Sequence, residues 1–115
     1  MLWLWMACAP GLPETLSAPQ LYGTWTLQGS AIGRALELAP ADQDAGWDHA
    51  YQRLEIPSDE DPQVVEEGAW VLSDFVLSFN PDTVGAAPMD AQVLGFDGQV
   101  LVLEELGLTL RYELQ

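Results

Sequence analysis

The sequence predicts an all-β domain: a single antiparallel up-and-down β-barrel of about eight short strands. Apolar residues recur with period two nearly everywhere from Leu21 onward, Gly, Pro, Asn and Asp interrupt that pattern at short intervals, and no stretch has helical spacing of useful length. Hydrophobic residues make up 49% of the chain, which supports one core and argues against wholesale disorder. Eight strands joined by hairpins, each with one apolar face, close naturally because closure removes exposed edges. A two-sheet β-sandwich gives the same alternation and is the alternative.

The first strand spans residues 21–28, where Gly23, Trp25 and Leu27 alternate with Thr24, Thr26 and Gln28. Residues 34–39 turn Leu36 and Leu38 inward, and residues 50–56 turn Leu54 and Ile56 inward, with Arg53 and Glu55 on the opposite face. The fourth strand, 64–72, presents Trp70 and Leu72; the fifth, 75–79, presents Phe75, Leu77 and Phe79. Strands 90–96 and 99–103 meet at Asp97-Gly98, a two-residue connection that favours a type I′ hairpin and sets Phe96 opposite Gln99 and Leu94 opposite Leu101. Leu94, Phe96, Leu101 and Leu103 then face inward, while Val93, Val100 and Val102 face outward and continue to Val71 and Val76, a stripe suited to a protein partner. The last strand, 108–114, carries Leu108, Leu110, Tyr112 and Leu114 on one face. So many bulky inward residues on short strands predict a filled core rather than a ligand cavity.

The chain divides into residues 1–7, 8–20 and 21–115. The apolar run Met1 to Ala7, then Cys8, then Ala9-Pro10-Gly11-Leu12-Pro13-Glu14 resembles the processing site of a bacterial lipoprotein, in which the Cys is diacylated and becomes the mature N-terminus. The resemblance implies a signal-peptide remnant in 1–7, a lipid anchor on Cys8 and an envelope location, in the outer membrane because Ala9 and not Asp follows the Cys. A spanning helix needs about 20 apolar residues, so the expectation is a chain anchored to a membrane without crossing it. Pro10, Pro13 and Pro19 predict that residues 9–20 form an extended tether, at about 3.1 Å per residue.

Leu21-Tyr-Gly-Thr-Trp-Thr-Leu27 resembles the opening strand of lipocalin-like domains, which begins with Gly-x-Trp. The stretches 68–77, 93–103 and 108–113 are similar to the second half of small bacterial lipocalin-like lipoproteins. The resemblance implies a barrel with a ligand cavity, and a Trp at its closed end packed on an Arg near the last strand. Trp25 and Arg111 match those roles by type and order, although alternation puts Arg111 on the outer face beside Thr109 and Glu113. The candidates for barrel closure or ligand contact are Trp25, Trp70, Phe75, Phe79, Phe96, Tyr112 and Arg111.

Charge narrows the partners. Eighteen Asp and Glu stand against Arg34, Arg53 and Arg111, with no Lys, for a formal charge of −15. Nucleic acid is excluded, since its binding depends on clustered Lys and Arg; a basic protein or a divalent metal remains attractive. Asp42, Asp44 and Asp48 around Gly46 are similar to the start of a Ca2+-binding loop, but Arg53 stands where such a loop has its bidentate Glu. Catalytic parts are scarce: His49 is the sole imidazole, no Gly-x-Ser-x-Gly surrounds a Ser, and Glu66-Glu67 and Glu104-Glu105 are adjacent, so each pair points to opposite faces of its strand. The expectation is a non-enzymatic, lipid-anchored envelope protein that binds a basic protein partner. Carriage of a small apolar ligand is the alternative, and a Ca2+-binding surface role a second one.

Overall fold

The structure is a computed structural model that describes residues 11–29, 33–41, 48–58 and 60–115. Eight strands follow in chain order: β1 (Gly23–Leu27), β2 (Gly33–Pro40), β3 (His49–Ile56), β4 (Gln63–Ser73), β5 (Val76–Pro81), β6 (Met89–Phe96), β7 (Val100–Glu105) and β8 (Leu108–Leu114). Each pairs antiparallel with the next, and β8 pairs with β1, so the sheet is a closed up-and-down barrel. This is the predicted fold, and the sandwich alternative falls.

One half of the barrel is solid. Trp25, Leu36, Leu38, Trp70, Leu77, Leu101 and Leu103 are at most 1% exposed and form one apolar cluster with Phe96. Full burial of a side chain of this size stabilises by about 1.5–3 kcal/mol. Both indoles also satisfy their polar edge, Trp25 Nε1 donating to the Leu21 carbonyl at 2.9 Å and Trp70 Nε1 to the Ala50 carbonyl at 2.9 Å. The close approach of strands explains Gly23 in the Gly-x-Trp motif: its φ is +147° and a Cβ there would stand 2.6 Å from Leu114 Cδ1.

The segment expected as a free tether is partly docked. A 3₁₀ turn at Ala18–Leu21 brings Leu21 to 0% exposure under the barrel, with Leu16 and Ala18 packed beside it. Gln20 Oε1 accepts from the Ser17 backbone N–H at 2.8 Å and from Ser17 Oγ at 3.1 Å, which fixes the start of the turn. Farther upstream, the Gly11 carbonyl accepts from the Phe96 N–H at 3.1 Å. This turn and the aromatic group of Tyr22, His49 and Trp70 seal the end of the barrel; the His49 ring stacks on Trp70 at 4.6 Å and its Nδ1 lies 3.0 Å from the Tyr22 hydroxyl.

Register corrects several predicted faces. The β6–β7 turn is Gly98-Gln99, one residue later than predicted, so Phe96 opposes Leu101 and not Gln99. The Asp97 carboxylate causes the shift by accepting from the Gln99 and Val100 backbone N–H groups, each at 2.8 Å, and the same bonds hold its pKa below the ordinary value. A bulge between Val93 and Gly95 then moves Leu94 off the inner face and places Val93 on it at 0% exposure. Val100 is also buried, so the outward valine stripe is broken. On β3 the inner residues are Tyr51 and Arg53, opposite Leu38 and Leu36; Leu54 and Ile56 are half-buried and alternate away. Leu108 keeps its predicted face but is 63% exposed at the barrel rim. Phe75 lies in the Asp74-Phe75 turn before β5, half-buried against the core.

Candidate ligand cavity

The ends of the strands opposite the sealed end enclose a cavity of about 480 Å³ that opens to solvent. Its walls are apolar: Leu27 from β1, Met89 from β6, Leu108 and Leu110 from β8, with Val65 and Leu106 at the rim. Beneath them lies a polar floor around Arg53, a residue that sequence reasoning placed on the outside.

Arg53 is the centre of that floor. Its Nη2 donates to Glu105 Oε1 at 2.7 Å, its Nε lies 3.3 Å from Glu66 Oε2, and its guanidinium covers the Phe79 ring at 4.8 Å from the centroid. Two tyrosines complete the network: Tyr112 donates to Glu105 Oε2 at 2.9 Å, and Tyr51 donates to Glu66 Oε2 at 2.8 Å. Burial works against the Arg53 charge, but Glu105, Tyr112 and Glu66 more than offset it and raise its pKa above the ordinary value. Burial also raises both phenols, assisted at Tyr51 by its hydrogen bond to Glu66 and at Tyr112 by the charge of Glu105. The floor therefore holds one fixed cation, two carboxylates that accept its donors, and two neutral hydroxyls.

Of the predicted site residues, Phe79 and Tyr112 line this cavity, whereas Trp25, Trp70 and Phe96 belong to the packed end. Arg111 lies opposite Val102 on the outer face, with its Nη2 4.0 Å from Glu113 Oε1. The cation–π contact among the described residues is that of Arg53 on Phe79, and Trp25 instead meets the edge of Phe96 at 6.0 Å. Cys8, Asp42 and Asp44 lie outside the described residues, and Asp48 is exposed. No group of three or more His, Cys, Asp or Glu is placed to hold a metal ion among the described residues.

Sequence reasoning missed Tyr51, Arg53, Glu66 and Glu105. One signal was available: the Leu101, Leu103 alternation carried one step further puts Glu105 inside.

The molecule is thus a closed eight-stranded antiparallel barrel, plugged at one end and hollow at the other. No protein-family model matches the chain, and neither the curated proteins nor the solved structures contain a significant match.

Proposed function

We propose that the chain is a non-catalytic binding module whose barrel takes a small, largely apolar ligand through its open end. The observation that carries this reading is the cavity itself. Its volume of about 480 Å³ falls within the range of small-molecule sites, and apolar walls around a few fixed polar groups are the usual composition of such sites. A core filled throughout, as the inward residues predicted, would leave no such space.

The test is titration with an environment-sensitive apolar dye, followed by competition with medium-chain alcohols. Wild type should bind one dye per chain and release it to the competitor. Leu110→Trp, which adds bulk to the cavity wall, should bind neither. Equal dye binding by the two proteins would show that the dye sits elsewhere.

Capture of a basic protein partner is the second reading. It rests on the charge of −15, and the burial of Val93 and Val100 removes the stripe that was to form its apolar surface. Lipid anchoring through Cys8 and an outer-membrane location are part of the proposal; their support is the sequence around Cys8.

A further inference from the structure

The floor of the cavity selects a head group. We propose that the ligand carries a protonated amine at the end of its apolar chain, an inference that rests on the ligand-binding reading above.

An anionic head would find the floor's donors engaged. Arg53 is held by Glu105 at 2.7 Å and by Glu66 at 3.3 Å, and the hydroxyls of Tyr51 and Tyr112 are directed to the same two carboxylates. A fatty-acid carboxylate or a phosphate would have to break those contacts and would then face two anions in a partly desolvated site, where like charges repel strongly.

An ammonium meets the reverse situation. The floor holds one guanidinium and two carboxylates; at the mouth Arg34 and Glu55 oppose each other across β2 and β3. With two cations and three anions, the lining carries a net charge of one negative unit. Glu105 uses both oxygens, Oε1 for Arg53 and Oε2 for Tyr112. Glu66 does not: Tyr51 and Arg53 both meet Oε2, which leaves Oε1 for a further donor, and the side chain is 34% exposed. An ammonium at Glu66 Oε1 would make a charge-assisted hydrogen bond, with its chain lying along Leu27, Met89 and Leu110.

The experiment measures binding of dodecylammonium, dodecanol and dodecanoate, each below its micellar concentration, by equilibrium dialysis. The full chain carries Cys8→Ser so that no acyl group of its own competes. Salt is held at about 0.15 M, where exposed charges are screened over about 8 Å. Dodecylammonium should bind about tenfold more tightly than dodecanoate, with dodecanol between them. Glu66→Gln should bring the two charged chains within about threefold of each other. Asp90→Asn, which makes the same change in net charge at an exposed position on the outer face, should leave the gap intact. Dodecanoate or dodecanol binding as tightly as the amine would overturn the head-group inference while leaving the cavity reading in place. Closure of the gap by Asp90→Asn would overturn it too, since the preference would then come from the overall charge. Failure of all three chains to bind would remove the cavity reading as well. If Glu66→Gln does not fold, the wild-type ranking decides, with Leu110→Trp expected to abolish binding of every chain.

Discussion

Glu105 is 5% exposed, and its two oxygens tie Arg53 on β3 to Tyr112 on β8 across the interior. Removing one partner of a buried pair leaves the other charge incompletely compensated, a loss of about 3–5 kcal/mol. Arg53 keeps Glu66, so Glu105→Ala should sit at the lower end, about 3 kcal/mol by denaturant unfolding; a loss below about 1 kcal/mol would mean that the bond adds little beyond its replacement by water. The phenols report on the same network. Tyr51 and Tyr112 have raised pKa values in the fold, so the folded state retains protons that the unfolded chain releases above about pH 10. Below that pH the two groups leave stability unchanged; as pH rises past it, stability falls. Absorbance titration should show Tyr51 and Tyr112 ionising only together with unfolding. Ionisation of Tyr51 and Tyr112 ahead of unfolding would contradict the network.

Among the elements, β4 depends on a contact that no larger residue tolerates. A Cβ at Gly68 would collide with the Asn80 carbonyl on β5, backbone that has no means of turning aside. Gly68→Ala should therefore destabilise by about 3 kcal/mol, the upper part of the range for overpacking, and shift the melting transition accordingly. Retention of wild-type stability would mean that β4 and β5 separate easily. The positions of the strands were legible because alternation and breaker residues act locally. The inner face of β3 was not, because Leu54 and Ile56 made the wrong face look apolar, while Tyr51 and Arg53 earn their inner places only through partners on β4, β7 and β8. The Asp97 turn failed for a related reason: its side chain took the Gln99 and Val100 N–H groups and moved the hairpin by one residue. Local pattern reports how far apolar residues are spaced, and a polar network inside a barrel inverts the inference drawn from it.

At the scale of the whole molecule the two ends differ in kind, one stopped by Leu21, Trp25 and the Tyr22–His49–Trp70 group, the other open above Arg53. The N-terminal segment arrives at the stopped end, where the Gly11 carbonyl is bonded to the Phe96 N–H. With an acyl chain on Cys8, three residue steps separate the lipid from that bond, a reach of about 10 Å. Detergent partitioning should place wild type in the detergent phase and Cys8→Ser in the aqueous phase. On vesicles, a thiol probe at Leu106→Cys, on the open rim, should react with a water-soluble reagent as fast as it does free in solution. Protection of that probe by the vesicles would mean that the barrel lies with its mouth on the lipid.

With a lipid on Cys8, the bond at Gly11 would turn a long leash into a short stalk. If Cys8 carries a lipid, a barrel moored so closely by its stoppered base would stand like a cup fixed to a table, its opening turned away from the membrane, and cargo would be exchanged with whatever passes above.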